Sequence, residues 1–276
     1  MAGKLFVVGT PIGNLSDFSP RAVATLSECD FIAAEDTRVT LKLLNHFEIK
    51  TPMISYYEHN KRSKGDIIIK RILDGENCAI VTDAGMPAIS DPGEDLVALA
   101  HQNGITVESV PGPTAFATAM AISGMPSGRF TFEGFLSVNK PSRREHLEEV
   151  KNERRTMIFY EAPHKLAATL KDMYNAFGDR KIAIVKELTK IHESVELTTL
   201  SEASEKYTPE ASIKGEFVLV IEGAKPEETP ELTLDEAVSL AKKLVEDGMG
   251  MNDAAKQLAK DTKYKKSDIY KALLED

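Results

Sequence analysis

The sequence predicts an α/β fold made of two domains and a small helical appendage. Apolar strands and amphipathic helices alternate five times in roughly the first 120 residues, which is the pattern of a parallel sheet. From Gly128 onward strands predominate and two clear helices intervene, which indicates a second, mixed α/β domain. A polar, Pro-flanked segment then precedes further stretches of helical periodicity. We therefore predict domains over residues 1–120, 121–224 and 233–276, with a linker at 225–232.

Composition is that of a globular protein and argues against several other classes. The 276 residues carry a net charge of −9, which disfavours a general nucleic-acid coat protein but leaves room for a local basic site. We expect neither a membrane span nor a signal peptide, because the apolar runs are short and the first residues lack the layout of a signal. Cys29 and Cys78 adjoin apolar runs without metal-ligand spacing, so they are expected to be reduced core residues of a cytoplasmic protein.

Each strand predicted in the first domain ends in a polar or glycine-rich turn. The turn after the first strand, GTPIGNL, leads into a helix with Ser19 as its N-cap and Pro20 at its first position. A strand, a glycine turn and a helix are typical of a phosphate-binding unit, although the Walker and G-x-G-x-x-G signatures are both missing. The five strands are Leu5–Val8, Phe31–Ala34, Met53–Tyr57, Cys78–Val81 and Val107–Val110.

The segment from Thr82 to Gly93, TDAGMPAISDPG, has the composition of a ligand-binding loop. It leaves the carboxyl end of a strand and leads into a helix over Glu94–Gln102, which is where open α/β sheets bind ligands. Gly85 and Gly93 would let the backbone approach a ligand closely, and Asp83 could accept hydrogen bonds from a ribose. Plain turn chemistry also explains such a loop when it is taken alone. With the rest of the chain, the segment indicates the floor of a nucleotide-cofactor site.

Four polar residues, Glu35 to Arg38, follow the second strand. Polar side chains at the carboxyl end of a strand suit a ligand site better than a core. The alternative is an ordinary helix N-terminus, in which Glu35 and Asp36 interact with the helix dipole and Thr37 is the cap. The residues leave both interpretations open.

The second domain is predicted to contain five strands and two helices. Polar clusters again follow two of the strands, Tyr160-Glu-Ala-Pro-His164 and Lys186-Glu-Leu-Thr-Lys190. Basic residues between 140 and 155 alternate with glutamates, which indicates a solvated helix face or, alternatively, a mobile loop that touches phosphate. The strands are Phe130–Phe135, Met157–Tyr160, Ile182–Val185, Val195–Leu200 and Phe217–Ile221, and the helices lie near 143–152 and 164–177.

The appendage is predicted to be three small helices. They span Leu234–Val245, Met251–Ala259 and Ser267–Leu274, with Ser267 as the N-cap of the last. The arrangement resembles a helix-turn-helix module. Positive and negative charges nearly balance there, so we expect a packing or RNA-side accessory and no binding to DNA.

Seven motifs, taken together and in order, resemble the tetrapyrrole-methylase-type (class III) S-adenosylmethionine methyltransferases. The match covers nearly the whole chain up to the linker. Within that superfamily, GTPIGN, EDTR, DAGMP and YEAPHK resemble the branch that methylates a ribose 2′-hydroxyl of a cytidine in the decoding region of 16S (small-subunit) ribosomal RNA. The seven motifs are VGTPIGNLSD, AAEDTR, TDAGMPAISDPG, PGPTAFATA, FYEAPHK, KELTK and KGEFVLVI.

The resemblance implies two α/β domains that bind S-adenosylmethionine in the cleft between them, usually in a homodimer. The chain departs from the superfamily where Thr10-Pro11-Ile12 replaces the usual G-P-G, and where Asp83-Ala-Gly85 replaces G-G-D or G-D-P. These departures support the ribosomal RNA branch. By motif position, the resemblance implies cofactor contacts at Pro11, Asp83, Ala84, Gly85, Ala88, Ile89, Thr114, Ala115, Tyr160 and Leu188.

Methyl transfer from a sulfonium needs an in-line nucleophile, so positioning should supply much of the rate. A ribose hydroxyl is a weak nucleophile, and a positioned base or a cation beside the developing alkoxide should help. We predict that Arg38 and Lys186 hold phosphate or stabilise the alkoxide, and that Glu187 or Asp36 takes the proton. For each of them a structural ion pair is the alternative. We predict no metal site, since no cluster of His, Cys and carboxylate residues has zinc-like spacing.

Two other functions compete with RNA methylation. A tetrapyrrole (corrin-like) C-methyltransferase would share the fold and cofactor but favour a wide apolar cleft, whereas the basic segments 61–64 and 140–155 favour RNA. A non-catalytic adaptor would not bind S-adenosylmethionine, and it would not need polar clusters at its strand ends. We therefore expect S-adenosylmethionine as cofactor and small-subunit ribosomal RNA, within the assembled subunit, as substrate.

Overall fold

The first sheet of the computed structural model, which describes residues 2–225 and 232–275, consists of five short apolar strands. All of its pairings are parallel, as the alternation of strands and helices predicted. The strands are β1 (Lys4–Val8), β2 (Phe31–Ala34), β3 (Met53–Ser55), β4 (Cys78–Val81) and β5 (Thr106–Val110), in the order β3-β2-β4-β1-β5. The parallel order places the turns that follow these strands at one edge of the sheet.

Helices follow each of these strands. Ser19 caps the first, with its hydroxyl accepting from the N–H of Ala22 at 3.1 Å, and Pro20 is the first helical residue, as predicted. The alternative interpretation of residues 35–38 made Thr37 the cap of the second helix, but Asp36 is the N-cap and Thr37 is the first residue of the helix. The helices are α1 (Pro20–Glu28), α2 (Thr37–His46), α3 (Lys61–Leu73), α4 (Gly93–Gln102) and α5 (Ala115–Ile122).

Both faces of the first sheet are buried. Phe31 and Ala33 of β2 belong to one apolar cluster, while Ile32 and Ala34 belong to a second cluster on the other face. A strand that is covered on both faces reads as a continuous apolar run, which is why β2 and β4 begin and end where the sequence predicted.

The core also contains both cysteines, Cys29 and Cys78, which are free and buried as predicted. Burial raises the pKa of Cys29 to about 11, so the thiol stays protonated at neutral pH and contributes packing. In the part of the chain that the structure describes, no helix combines the length and the apolar character needed to cross a bilayer.

The second sheet is mixed, as predicted. Its strands are β6 (Phe130–Phe135), β7 (Thr156–Glu161), β8 (Lys181–Lys186), β9 (Ser194–Thr199) and β10 (Phe217–Ile221). They lie in the order β6-β7-β10-β8-β9, and only the β6–β7 pairing is parallel among the described residues.

Three helices accompany this sheet where two were predicted. They are α6 (Lys140–Val150), α7 (Leu166–Phe177) and α8 (Leu200–Lys206). The extra helix begins at Leu200, which the sequence assigned to a strand, because the hydroxyl of Thr199 caps it by accepting from the N–H of Glu202. The first helix starts earlier than predicted, because Asn139 accepts from the N–H of Ser142 and caps it.

The chain divides into two compact units, one up to Ala224 and one from Lys225 onward. The second unit contains the three predicted helices, α9 (Leu234–Glu246), α10 (Met251–Asp261) and α11 (Lys266–Glu275), around their own apolar cluster. Ser267 was expected to cap the last helix, but it lies inside it, with its hydroxyl 3.0 Å from Oδ1 of Asp268. Residues 226–231 of the predicted linker lie outside the described residues, and the division of the first unit near residue 120 stays a prediction.

Candidate active site

A cavity of about 530 Å³ opens at the carboxyl edge of the first sheet. Its lining comes from the turns after β1, β2, β4 and β5 on one side, and from β6, β7, β8, β10 and the turns beside them on the other. Both sheets of the first unit therefore contribute to one site. Its size falls within the range of small-molecule and cofactor pockets.

The floor of the cavity is the loop that follows β4, and it is pinned to the turn after β1. The N–H of Thr10 donates to the carbonyl of Gly85 at 2.9 Å, and the N–H of Gly85 donates back at 3.2 Å. The buried hydroxyl of Thr10 also donates to the carbonyl of Thr82 at 3.2 Å. These hydrogen bonds fix the position of residues 83–85, with which the loop after β4 begins.

Two residues in this loop adopt left-handed backbone conformations although they carry side chains. The φ angle is 65° at Ala88 and 66° at Ser90. One carboxylate oxygen of Asp91 accepts from the N–H of Ala88 at 3.0 Å and from the N–H of Gly93 at 2.8 Å. Such conformations persist where the surrounding structure determines them, and here the Asp91 carboxylate does so. The strained turn presents Ile89, between the two left-handed residues, to the cavity.

The ionisation of Asp91 opposes folding, because burial raises the pKa of this carboxyl above its ordinary value of 3.8. The folded protein then holds this proton more tightly than the unfolded chain, so the stability linked to Asp91 falls as the pH rises through the raised pKa. Asp91→Asn keeps an oxygen for both hydrogen bonds and does not ionise. We expect its free energy of unfolding, relative to the native protein, to increase between about pH 4 and neutral pH.

Urea denaturation across that pH range measures this difference. Asp91→Ala is the control, because it removes the acceptor as well as the charge and should destabilise the loop at every pH. A difference between Asp91→Asn and the native protein that stayed constant with pH would contradict the interpretation.

Carboxylates line one end of the cavity. Glu35 accepts from the hydroxyl of Thr82 at 2.6 Å, and Asp83 accepts from the N–H of Asp36 at 3.1 Å. Burial, followed by the negative charges of Glu35 and Asp36, raises the pKa of Asp83. This end of the cavity can accept hydrogen bonds from the hydroxyls of a ribose and favours a cationic group.

The opposite wall is apolar and aromatic. The hydroxyl of Tyr160 accepts from the N–H of Phe116 at 3.1 Å, which ties β7 to the first turn of α5. Burial raises the pKa of Tyr160, so its hydroxyl stays neutral. Thr114 and Ala115 at the start of α5 line the cavity beside this ring, and Leu188 closes it from the turn after β8.

Glu161, which lies next to Tyr160 in the predicted polar cluster, has a structural partner. It is 4% exposed and accepts from the hydroxyl of Thr169 at 2.5 Å and from the N–H of Ala162 at 2.7 Å. These bonds join β7 to α7 and hold the turn that continues to His164 along the cavity.

Most of the predicted cofactor contacts line this one cavity. Pro11 and Ala88 do not, although their neighbours Ile12 and Ile89 do. The sequence did not single out Met86, Phe135 or Phe217, because apolar residues near strand ends read as core. The predicted contacts that line the cavity are Asp83, Ala84, Gly85, Ile89, Thr114, Ala115, Tyr160 and Leu188.

The predicted catalytic residues of the first domain lie beside the cavity and not on its lining. The carboxylate of Asp36 accepts from the N–H of Arg38 at 2.8 Å and forms an ion pair with the guanidinium of that residue at 2.7 Å. The side-chain hydrogen bond from Arg38 holds the pKa of Asp36 at about 2. The side chain of Arg38 is itself 89% exposed.

The other two predicted catalytic residues lie at the carboxyl end of β8, where Lys186 is the last residue of the strand and Glu187 is the first residue of the turn after it. Glu187 forms an ion pair with Lys190 at 2.9 Å and accepts from the N–H of Glu216 at 3.0 Å. The hydrogen bond from Lys190 lowers the pKa of Glu187. The ammonium of Lys186 lies 6.0 Å from the ring centroid of Phe217, which lines the cavity. The structure therefore gives both carboxylates a structural partner, and their roles at reacting atoms stay predictions.

The described residues contain no group of three or more His, Cys, Asp or Glu side chains placed to hold a metal ion. The arrangement is instead a cofactor pocket with an acidic end, an apolar wall and an open mouth. Its groups can bind and orient an organic ligand.

The chain belongs to the family of tetrapyrrole (corrin/porphyrin) methylases, whose family model matches residues 4–204. This confirms the resemblance read from the motifs. Curated relatives are similar over nearly their whole length. "Ribosomal RNA small subunit methyltransferase I" of Synechocystis sp. is 45% identical over 274 residues, which is 99% of this chain and 98% of that protein. The proteins of the same name from Halalkalibacterium halodurans and Bacillus subtilis are 47% identical (97% of this chain, 93% of theirs) and 44% identical (98% and 94%).

Solved structures confirm the fold. Diphthine synthase matches with a TM-score of 0.60 at 11% identity, covering 80% of this chain and 90% of its own. Cobalt precorrin-4 methyltransferase matches with a TM-score of 0.58 at 17% identity, covering 79% and 94%. Uroporphyrin-III C-methyltransferase from Thermus thermophilus, in complex with S-adenosylhomocysteine, matches with a TM-score of 0.55 at 17% identity, covering 79% and 97%.

Proposed function

We propose that this protein transfers the methyl group of S-adenosylmethionine to the ribose 2′-hydroxyl of a cytidine in 16S (small-subunit) ribosomal RNA. The observation that carries the proposal is the cavity between the two sheets, in a chain 44–47% identical, over nearly full length, to proteins named ribosomal RNA small subunit methyltransferase I. A homodimer in the cytoplasm that acts on the assembled small subunit is part of the proposal, and it is supported by the resemblance of the motifs.

The residues of the cavity fit the cofactor. Asp83 and Glu35 offer acceptors for the ribose hydroxyls, and Gly85 lets the backbone come close to the ligand. Ile12 and Leu188 provide an apolar surface for the adenine ring of the cofactor. S-adenosylmethionine, when bound, supplies a methyl group on a sulfonium. The acidic end of the cavity, which can accept hydrogen bonds from the ribose hydroxyls, also favours the positive charge of the sulfonium.

The chain contributes to the reaction mainly by positioning. The floor loop is fixed by the Thr10 bonds and by Asp91, so little reorganisation is needed when the ligand binds. Arg38 and Lys186 remain our candidates for holding phosphate or for stabilising the developing alkoxide. Lys186 directly follows Val185, and Arg38 is in the same polar segment as Glu35; Val185 and Glu35 both line the cavity. Asp36 and Glu187 are kept ionised by their partners and remain the candidates for accepting the proton.

These four assignments are tested by Lys186→Ala, Glu187→Gln, Asp36→Asn and Arg38→Ala. If a side chain acts in proton transfer or charge stabilisation, its removal should lower kcat roughly 100-fold or more and leave the Kd for S-adenosylmethionine unchanged. Steady-state methyl transfer together with calorimetric cofactor binding separates the two effects. If all four variants kept near-native turnover, the assignment would be wrong, and the ion pairs would be purely structural.

The proposed activity is tested with methyl-labelled S-adenosylmethionine and small ribosomal subunits that lack their own methylation. We expect label in the RNA and none in tetrapyrrole precursors offered in parallel. The reverse result would favour the tetrapyrrole C-methyltransferase. A thermal-shift titration with S-adenosylmethionine should raise the melting temperature, which the adaptor hypothesis does not predict.

A further inference from the structure

Phe135 is an aromatic residue at the mouth of the cavity that neither the fold nor the proposed cofactor contacts explain. It lines the cavity, yet 56% of its surface is exposed. Its sequence neighbour Leu136, by contrast, is only 4% exposed and belongs to the apolar core of this domain. Because the ring is exposed and also lines the cavity, its surface is available to a molecule that binds there.

A β-bulge turns this ring toward the cavity. Phe132 of β6 pairs with Ile158 of β7, and Gly134 pairs with the next residue, Phe159, so one residue of β6 is left over. In a regular strand, residues 132 and 135 would point to opposite faces. The extra residue places both on the same face, and bulges are commonly found where a side chain is re-aimed beside an active site.

The ring contacts show that this change of face has occurred. Phe132 packs against Tyr160 with ring centroids 4.9 Å apart, and Phe135 packs against the same Tyr160 at 5.3 Å. Glu133, which directly follows Phe132, points the other way, and its carboxylate lies 3.1 Å from Nε2 of His146 on α6. Gly134 makes the bulge possible, because its φ of 64° is in the left-handed region that favours glycine.

Tyr160 holds the ring of Phe135 in place. The two rings meet at 61°, and the hydroxyl of Tyr160 is anchored to α5 through the N–H of Phe116. A fixed aromatic ring with one side open to solvent has the properties of a stacking platform for a nucleic-acid base. A nucleotide that is drawn out of its stack loses the contacts with its neighbours, and an aromatic ring of the enzyme can replace them.

We propose that Phe135 is the platform on which the base of the target nucleotide stacks while its ribose enters the cavity. This inference rests on the proposed function, since it assigns a residue to the substrate of that reaction. Stacking on a ring recognises an unpaired base in single-stranded RNA, so the substrate is a nucleotide that can leave its helix. Phe135 is thus a substrate-binding residue, distinct from the groups that hold the cofactor.

Kinetics with unmethylated small subunits test the platform. Removing a stacking aromatic typically weakens nucleic-acid binding about ten- to hundredfold, so Phe135→Ala and Phe135→Leu should raise the KM for the subunits by that factor. Phe135→Tyr keeps the ring and should retain near-native KM. The Kd for S-adenosylmethionine should be unchanged in all three variants. Phe130→Ala is the matched control, because Phe130 is on the same strand and 36% exposed but does not line the cavity.

A binding signal that does not depend on turnover comes from Phe135→Trp. The chain contains no tryptophan, so the variant has a single indole that can be excited apart from the tyrosines. We expect its fluorescence to be quenched when unmethylated subunits are added in the presence of S-adenosylhomocysteine. Phe130→Trp should not respond.

Three results would overturn the inference. The first is a native KM for Phe135→Ala with no quenching in Phe135→Trp. The second is a raised Kd for S-adenosylmethionine in Phe135→Ala, which would mean that the ring contacts the cofactor. The third is a change of oligomeric state by sedimentation, which would make it a contact with a second copy of the chain. If the native enzyme itself transferred no methyl group to RNA, the proposed function would fail as well, so the two failures are distinguishable.

Discussion

Gly9→Ala is expected to lower methyl transfer about a hundredfold and to weaken S-adenosylmethionine binding. Gly9 follows β1, and its N–H donates to the carbonyl of Val110 at the end of β5 at 3.0 Å. An added Cβ would lie 2.7 Å from both the Cα and the N of Gly112, and 2.8 Å from the sulfur of Met86. Two of these three atoms belong to the backbone, so the turns after β1 and β5 must separate.

This separation would displace residues of the cavity, because Met86 lines it and the turn after β5 continues to Thr114, which also lines it. Displacements of about 1 Å at a site that works by positioning can cost a hundredfold in rate. Overpacking should also cost roughly 1–3 kcal/mol in the free energy of unfolding. Calorimetric cofactor binding, thermal unfolding and methyl transfer on the same sample measure all three effects.

Gly128→Ala is the matched control for this change. A Cβ added at Gly128 meets no atom within 4 Å, and its backbone does not have the positive φ that would strain an alanine. It should therefore bind S-adenosylmethionine and turn over as the native protein does. Native cofactor affinity in Gly9→Ala would contradict the close approach of the two turns.

Asp172→Ala is expected to destabilise the first unit by about 3 kcal/mol. The side chain of Arg143 on α6 is 9% exposed, and its ion pair with Asp172 of α7 measures 2.6 Å. Removing the carboxylate leaves a guanidinium that is almost fully buried without its charge partner, and such losses run to about 3–5 kcal/mol. The lower end applies because Asp172 keeps 22% of its side-chain surface exposed.

Two further variants make this prediction specific. Glu108→Ala breaks the exposed ion pair with Lys4, in which both side chains are nearly half exposed, and should cost less than about 1 kcal/mol. The double variant Arg143→Met/Asp172→Leu removes both charges and should recover much of the lost stability. Urea denaturation followed by circular dichroism measures the differences. Equal losses for Asp172→Ala and Glu108→Ala would contradict the burial of the Arg143 charge.

Arg143 also shows that charge patterns in the sequence do not predict contacts between helices. Arg143 lies in the basic segment 140–155, which suggested either a solvated helix face or a mobile loop touching phosphate. The segment from Lys140 to Val150 is a helix, and Arg143 is buried against a carboxylate 29 residues further along the chain. The spacing of charges along one helix predicts ion pairs within that helix. An ion pair with a residue of another helix depends on how the two helices pack, which the spacing does not show.

Strands with clearly bounded apolar runs were the easiest to predict. β2, β4, β6 and β10 begin and end at the predicted residues, and the apolar runs of β2, β4 and β10 are bounded by polar residues on both sides. The third strand was overestimated at Tyr57, and α8 was missed, because Leu200 follows threonines that read equally well as strand or cap. Capping residues decide such boundaries, and several cap types fit the same sequence.

The candidate site was only partly accessible from sequence. The Asp83 loop was found because its glycines, prolines and aspartates directly follow a buried strand, where open α/β sheets bind ligands. The Phe135 ring was not, because a bulge depends on which residues pair across β6 and β7. Asp36 and Glu187 show a further limit: a carboxylate after a strand can cap a helix, pair with a neighbouring cation or meet a substrate, and sequence alone does not distinguish these roles.

The central claim is that the methyl group is placed on a ribose hydroxyl of ribosomal RNA. The most direct test is to methylate unmethylated small subunits with labelled S-adenosylmethionine, digest the RNA completely to nucleosides and identify the labelled product. We predict that the label is found in 2′-O-methylcytidine, at one site per subunit. Label on a base, on a different nucleoside or only on ribosomal protein would contradict the account.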